Sequence, residues 1–144
     1  MLMAFSIRSM QPSDEPAVIA LLNLHFPRVQ MTPAKLHARL ERGARFFVAE
    51  ENGSIIGFAD LRVGRRALLR GLAVQAEKRG RGVGSALVQA AVAEACTLGF
   101  KLFWVEALAE DVNAVRFYEK NGFVPGEKKL NRFCESVRVL SRTL

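Results

Sequence analysis

Cysteine, histidine and long apolar runs are all scarce in this sequence, and each scarcity excludes a class of protein. The 144 residues include two cysteines and two histidines. Two cysteines cannot build a disulfide framework, so we expect Cys96 and Cys134 to be reduced thiols, as in a cytosolic protein. They form no metal signature with His25 and His37, and no metal site is predicted. The first apolar run ends before Arg8, too short for a signal peptide or a membrane span, so we expect a cytoplasmic protein with no membrane partner.

The composition is that of a folded, basic protein. Half of the residues are hydrophobic, which excludes a disordered chain. Eleven glycines and five prolines are too few for a collagen or a linker. The net charge of +7 favours an anionic partner such as a phosphorylated cofactor, an acidic protein or nucleic acid, or it serves solubility alone. The length suits one domain, and we predict that residues 1–144 form it.

Periodicity and turn residues predict an α/β arrangement. Strands are expected at residues 4–8, 46–50, 54–62, 68–74, 101–107 and around 137–140, and helices from Ser13 to Pro27, Thr32 to Gly43, Gly82 to Leu98 and Asp111 to Gly122. Asn52–Gly53 predicts a hairpin turn. The almost continuous apolar run at residues 101–107 predicts a strand covered on both faces, with Phe103 and Trp104 in the core. Residues 65–66, both arginine, are expected in a solvated turn.

The most informative segment is the glycine loop at residues 79–84, Arg-Gly-Arg-Gly-Val-Gly, between a strand and the strongest helix. Glycines let backbone N–H groups face a ligand, and a helix start adds unpaired N–H groups and partial positive charge. Together they favour a pyrophosphate; the two arginines and Lys78 add charge at the rim, and the N–H of Ser85 can join. The loop is not a P-loop, because no Gly-Lys-Ser/Thr follows. A dinucleotide-binding fold is disfavoured because the loop lies mid-chain, although Glu106 ends the next strand as that fold requires.

The order of strand, glycine loop, long helix, apolar strand and short helix resembles the GNAT superfamily of acyl-CoA-dependent N-acetyltransferases. The family motif Arg/Gln-x-x-Gly-x-Gly/Ala binds the pyrophosphate of coenzyme A, and it matches Arg79, Gly82 and Gly84. A second motif, Asn-x-x-Ala-x-x-Phe-Tyr-x-x-x-Gly-Phe, matches at Ala114, Phe117, Tyr118, Gly122 and Phe123. Asp111 stands where the family carries Asn. The resemblance covers about residues 46–124.

The resemblance implies a GNAT-like α/β (α+β) fold, with a mixed, mostly antiparallel central sheet flanked by about four helices. It implies acetyl-CoA as cosubstrate, and a strand at residues 68–74 that splays from the next strand, where Gly71 is either a bulge or an ordinary weak position. Asp111 is expected to cap its helix, with Asn113 taking over contacts to the pantetheine arm. The implied cofactor-binding residues are Leu72, Ala73, Val74, Arg79, Gly80, Arg81, Gly82, Val83, Gly84, Ser85, Asn113 and Tyr118.

Two residues are candidates for proton transfer in the implied reaction. Tyr118 holds the position that in the family protonates the departing thiolate; a phenol of pKa ~10 can donate to a thiolate of pKa ~8.5 at a small cost, and aromatic packing is the alternative. The strand at residues 68–74 has no carboxylate. Glu106 is therefore the candidate base, at a place similar to the Glu of protein N-terminal (ribosomal-protein alanine) acetyltransferases, where burial would raise its pKa. A solvated Glu106, or Asp60 as the base, is the alternative.

Three functions remain open at this point. The first is an N-acetyltransferase whose amine acceptor is a small metabolite, an amino acid or a peptide N-terminus. The second is a non-catalytic acyl-CoA sensor of the same fold, and the third is a basic nucleic-acid-binding protein. No nucleic-acid partner is expected, because no nucleic-acid motif is present and that reading leaves the glycine loop unexplained. Dimers are frequent in the family, so a homodimer is compatible with the sequence.

Overall fold

In the computed structural model, which describes residues 5–144, seven strands form one sheet. They are β1 (Phe5–Ser9), β2 (Arg45–Glu51), β3 (Ser54–Val63), β4 (Ala67–Val74), β5 (Leu102–Leu108), β6 (Val124–Leu130) and β7 (Ser136–Thr143). Their order across the sheet is β1-β2-β3-β4-β5-β7-β6. Every neighbouring pair is antiparallel except β4–β5, which is parallel. The predicted mixed, mostly antiparallel sheet is confirmed.

Four helices flank the sheet: α1 (Glu15–His25), α2 (Pro33–Glu41), α3 (Val83–Thr97) and α4 (Val112–Lys120). As predicted, the side chain of Asp111 caps α4, and that of Thr32 caps α2 in the same way, each accepting from a backbone N–H three residues on. The start of α1 is built differently. Asp14 does not cap that helix with its side chain; its carboxylate accepts from the Gln11 N–H and pairs with Arg8.

Two hydrophobic clusters lie on opposite faces of the sheet. Successive residues of a strand point to opposite faces, so each strand feeds both clusters. One cluster seats α1 and α2, with buried Val18, Leu21, Leu22, Leu36, Phe46, Val48 and Phe58. The other seats α3 and α4, with buried Ala49, Leu61, Leu69, Leu87, Val88, Phe103, Val105 and Leu140. The sheet is thus covered on both faces over β2 to β4, and the ends of these strands are where loops can build a site.

Strand β5, in contrast, is covered on one face only. That face, under α3 and α4, carries the buried residues Phe103, Val105 and Ala107. The expectation of two covered faces is wrong, because Trp104 and Glu106 point the other way and keep solvent exposure, and Leu102 and Leu108 are 42% and 46% exposed. Trp104 is not a core residue either. The guanidinium of Arg66, expected in a solvated turn, lies 4.2 Å from the centroid of the Trp104 ring, a cation–π contact.

Strands β4 and β5 pair over three positions only, which join Ala67, Leu68 and Leu69 to Phe103, Trp104 and Val105. Beyond Leu69 neither strand has a register partner in the other, and we call this opening the β4–β5 gap. A bulge lies on the other side of β4. Asp60 of β3 is opposite Gly71, and the next residue, Leu61, is opposite Leu69. Arg70 therefore has no partner in β3, and the bulged residue is Arg70 rather than Gly71. The expected splay is present on the other side of β4, where pairing with β5 stops after Leu69.

Three further properties concern the described residues. No α-helix within residues 5–144 is both long and apolar enough to cross a bilayer. The same residues contain no cluster of three side chains able to hold a metal ion. Cys96 and Cys134 are exposed free thiols. The region that needs a chemical explanation is accordingly the β4–β5 gap and the glycine loop that follows β4.

Candidate active site

The glycines of the loop between β4 and α3 have different structural reasons. Gly80 and Gly82 adopt φ angles of +77° and +83°, a left-handed conformation that a Cβ disfavours. Gly84 has ordinary backbone angles, but a Cβ there would lie 3.2 Å from the Phe117 ring. The loop thus turns sharply at two glycines and approaches α4 at the third.

The backbone N–H groups of residues 80–85 donate to no other atom of residues 5–144. The first N–H at the start of α3 with a backbone acceptor belongs to Ala86, which donates to the Gly82 carbonyl at 3.0 Å. The start of a helix also carries the positive end of its dipole. Free N–H groups around left-handed glycines at a helix start fit an anionic group such as a pyrophosphate.

A cavity of about 420 Å³, which we call the cofactor cavity, opens beside these N–H groups. Nine of the predicted cofactor-binding residues line it: Leu72, Ala73, Val74, Arg79, Gly80, Gly82, Val83, Gly84 and Ser85. Phe117 and His25 line it as well. The guanidinium of Arg79 donates to the Val74 carbonyl at 3.2 Å and to the His25 ring at 2.9 Å. Sequence reasoning missed His25, because only the fold brings the end of α1 to this loop.

Arg81, Asn113 and Tyr118 do not line the cofactor cavity. The side chains of Arg81 and Lys78, expected at its rim, both pair with Glu51 at the end of β2, the Lys78 amine at 2.8 Å. Lys78 and then Arg81 hold the pKa of the Glu51 carboxyl below its ordinary value. These two cations therefore anchor the loop to β2 instead of adding charge to the cavity. Asn113 is exposed on the first turn of α4.

Tyr118 lies on α4, within an aromatic group behind the loop. Its ring packs edge-on against Phe117 and Phe123, with centroid distances of 5.2 Å and 5.7 Å. Burial, and to a lesser degree the charge of Asp111, raises the pKa of Tyr118 above its ordinary value. The phenol therefore keeps its proton at neutral and moderately alkaline pH, and it is a hydrogen-bond donor that gives up its proton less readily than an exposed tyrosine.

Asn121, at the end of α4, ties this helix to the loop. Its buried side-chain amide donates to the Phe117 carbonyl at 2.9 Å and to the Ser85 hydroxyl at 3.3 Å. Gly122 follows with a φ of +90°, which ends the helix. The sequence predicts this residue only as a helix end, because the contact with Ser85 is made through the fold. A side-chain hydrogen bond thus joins the end of α4 to the start of α3.

Of the two candidate bases, Glu106 lies at the edge of the β4–β5 gap. It follows the last β5 residue that pairs with β4, on the face opposite α3. Of the two alternatives for its burial, the solvated one holds: 31% of its side chain is exposed, and a carboxylate oxygen lies 2.9 Å from the Lys129 amine. Asp60 is completely buried, and it accepts from Arg39 and Arg70 with both oxygens. Glu106 is therefore the more accessible carboxylate.

A splayed sheet with free main-chain N–H groups beside the splay suits a ligand that carries a phosphate group. Residues 42–125 match the acetyltransferase (GNAT) domain family. A curated relative, the uncharacterized N-acetyltransferase YhfO of Bacillus subtilis (strain 168), is 33% identical over 132 residues, which cover 82% of this chain and 89% of the relative. The chain belongs to the GNAT acetyltransferase family and is an acyltransferase.

Solved structures share the fold. The ribosomal-protein-S18-alanine N-acetyltransferase from Escherichia coli superposes with a TM-score of 0.83 at 22% identity, covering 97% of this chain and 94% of that one. A GNAT family acetyltransferase from Elizabethkingia anophelis with acetyl-CoA bound gives a TM-score of 0.78 at 19% identity, covering 97% and 98%. The predicted GNAT-like fold is confirmed, and acetyl-CoA is the cosubstrate of this family.

Proposed function

We propose that this protein transfers the acetyl group of acetyl-CoA to the primary amine of an acceptor, which attacks the thioester directly. The observation that carries the proposal is the set of unpaired backbone N–H groups at residues 80–85, because five of these six residues line a cavity large enough for part of a nucleotide cofactor. The name of the Bacillus subtilis relative agrees with this activity.

The chain offers two kinds of contact to the cosubstrate. The N–H groups of residues 80–85 hold the pyrophosphate, and Arg79, positioned by His25, adds a cation beside it. The edge of β4 at residues 72–74, which faces the β4–β5 gap, offers backbone groups to the pantetheine arm. One N–H of this edge polarises the thioester carbonyl, and such a fixed donor can lower a barrier by about 3 kcal/mol.

Two side chains move the protons. As the amine nitrogen bonds to the carbonyl carbon, Glu106 takes the amine proton, directly or through a water molecule. The carbon–sulfur bond breaks and the electron pair leaves with sulfur as a thiolate. Tyr118 donates a hydrogen bond to this thiolate and then its proton. Because burial raises the pKa of Tyr118, the hydrogen bond stabilises the thiolate before the proton moves.

Several acceptor classes fit this chemistry. The Escherichia coli structural neighbour is named for the alanine of ribosomal protein S18, which supports a peptide α-amine. The position of Glu106 agrees with that class. The excess of basic residues supports an acceptor with negative charge. Small metabolite amines and amino acids use the same reaction, and all of these acceptors are consistent with a cytoplasmic enzyme.

The test combines cofactor binding with thiol release. Calorimetry measures the binding of coenzyme A, and a thiol reagent measures its release from acetyl-CoA with a panel of amines, amino acids and N-terminal peptides. We expect binding, release with at least one acceptor, and a fall in kcat of about 100-fold for Glu106→Gln. The control Glu110→Gln changes an exposed carboxylate just beyond β5 and should keep the wild-type rate.

Two results would contradict the proposal in different ways. If coenzyme A does not bind, the role of the glycine loop is wrong. If it binds but no acceptor promotes release, and neither Glu106→Gln nor Tyr118→Phe changes any measured property, the protein is a non-catalytic acyl-CoA sensor.

A further inference from the structure

A second cavity, of about 300 Å³, lies on the α2 side of the sheet. Its lining consists of Arg39 and Arg42 from α2 and its C-terminal end, Arg62 from β3 and Arg70 from β4, together with Ala44 and Val63. We call it the arginine cavity. Within the described part of the chain, no Asp or Glu lines it. A cavity of this volume suits a small molecule.

The charge of the arginine cavity is poorly balanced. Asp60, fully buried beside it, pairs with Arg39 at 2.7 Å and with Arg70 at 2.9 Å. Arg42 and Arg62 are exposed and have no salt-bridge partner among residues 5–144. Four arginines thus line the cavity with one carboxylate beside it, and the site keeps an excess of positive charge. Two of these arginines have all their donors available to a ligand.

The crowding of like charges is visible in Arg39. Burial, and then the charge of Arg70, lowers the pKa of the Arg39 guanidinium. Arg132, from the loop between β6 and β7, lowers it further. An anion in the arginine cavity would relieve this repulsion, and planar guanidinium groups match carboxylate and phosphate oxygens in pairs.

Strand β4 connects the arginine cavity to the cofactor cavity. Its bulged residue Arg70 lines the first, residues 72–74 line the second, and only Gly71 lies between them. A strand rises about 3.3 Å per residue, so the two linings begin about 7 Å apart. The β4–β5 gap starts at the same level, and Glu106 stands at its edge on the face that carries the arginine cavity. One small molecule can therefore extend from the arginine cavity to the β4–β5 gap.

We propose that the arginine cavity binds the oxyanion, a carboxylate or a phosphate, of a small acceptor amine whose amino group reaches the β4–β5 gap. This inference rests on the proposed acetyl transfer and names its acceptor class. The anion fixes one end of the acceptor, and the amine at the other end lies between Glu106 and the thioester. Amines of the same length that carry no anionic group lack the first contact.

The test compares acceptors that differ only in the anion. γ-Aminobutyrate is paired with butylamine, and phosphoethanolamine with ethanolamine. We expect kcat/KM to be at least tenfold higher for the anionic member of one pair, and that pair distinguishes carboxylate from phosphate. The double variant Arg42→Gln/Arg62→Gln should raise the KM for this acceptor about tenfold and leave the KM for acetyl-CoA unchanged. The control Arg65→Gln removes a charge in the β3–β4 turn, outside the cavity lining, and should change neither constant.

Each outcome decides the inference. Equal kcat/KM within both pairs, or an equal loss in Arg65→Gln, overturns it and leaves acetyl transfer intact. Calorimetry on the CoA-saturated protein separates the two proposals. Suppose that γ-aminobutyrate or phosphoethanolamine binds, that binding disappears in the double variant, and that no acceptor promotes release of CoA from acetyl-CoA. This result supports the arginine cavity and contradicts the proposed function. Both arginines are exposed, and a thermal unfolding curve verifies that the double variant folds.

Discussion

The cofactor cavity and the arginine cavity both suit anions, but they are built from different parts of the chain. The first uses backbone N–H groups of one loop and one helix start. The second uses side chains from α2, β3 and β4. Main-chain donors are held by the loop itself and repel one another little. Guanidinium groups carry full charges and need a buried counter-charge, which Asp60 provides. An anion site made of side chains therefore costs more stability than one made of backbone.

Asp60→Asn tests whether the arginine cavity depends on its buried counter-charge. The substitution leaves Arg39 and Arg70 without their carboxylate in a largely buried place. We expect the free energy of unfolding to fall by about 3–5 kcal/mol, measured by urea denaturation. The matched control is Glu94→Gln, which removes the partner of Arg45 at the surface and should cost less than about 1 kcal/mol. Similar losses in both variants would mean that Asp60 does not hold the cavity together.

Tyr118→Phe tests the proton donor of the proposed acetyl transfer. We expect kcat to fall about 100-fold, near 2.7 kcal/mol, with no change in the KM of either substrate. In the wild-type enzyme the raised pKa of Tyr118 predicts no loss of rate through its deprotonation up to about pH 10, the ordinary value for a phenol. A pH–rate profile measures this. A decline in rate near pH 8 that disappears in Tyr118→Phe would contradict the assignment.

Gly82→Ala sharpens the comparison from the backbone side. Gly82 and Gly99 both have positive φ angles, +83° and +88°, and a Cβ at either meets no atom within 4 Å. Of these two glycines, only Gly82 lines the cofactor cavity. Both variants should lose about 1–2 kcal/mol of stability, since an L-residue resists this conformation. Calorimetry should show a tenfold loss of CoA affinity for Gly82→Ala alone; the same loss in Gly99→Ala would show that only global stability matters.

The smallest expected effect concerns Asp14, a carboxylate outside both cavities, and its contribution to stability at low pH. The guanidinium of Arg8 holds the pKa of Asp14 below its ordinary value. The unfolded state binds the proton more tightly, so the pair stabilises the fold above about pH 4 and this contribution disappears as the pH falls through the lower folded pKa. Asp14→Asn should remove about 1 kcal/mol at pH 7 and little at pH 2, by thermal unfolding. An equal loss at both pH values would contradict this pairing.

The difference between the cavities also explains what the sequence could show. A main-chain site requires glycines at fixed places in one loop, so residues 79–84 announce it locally. The arginines at positions 39, 42, 62 and 70 follow no local pattern, and only the pairing of β3 with β4 and the packing of α2 bring them together. The same holds for His25, which reaches Arg79 from α1.

The wrong prediction that β5 is covered on both faces and the missing prediction of strand β6 have a related cause. An apolar run shows that a strand is buried somewhere but not which neighbours cover it. Trp104 is apolar, yet its cover is Arg66 and not the core. Every residue of β6 is exposed, as expected of an edge strand, and its proline, its glycine and its three charged residues gave no strand signal. The exposure of Glu106 could not be decided from the sequence, because its neighbour Lys129 comes from this strand.

The short ladder between β4 and β5 has a consequence for ligands. A sheet normally exposes unpaired backbone only along its two outer strands. Here the edges of β4 beyond Leu69 and of β5 beyond Val105 are also unpaired with each other, and they lie in the middle of the sheet. An extended molecule with amide groups can pair with these edges as an inserted strand would. Peptide-like inhibitors that imitate a strand, rather than flat aromatic compounds, are the chemistry best suited to closing this opening.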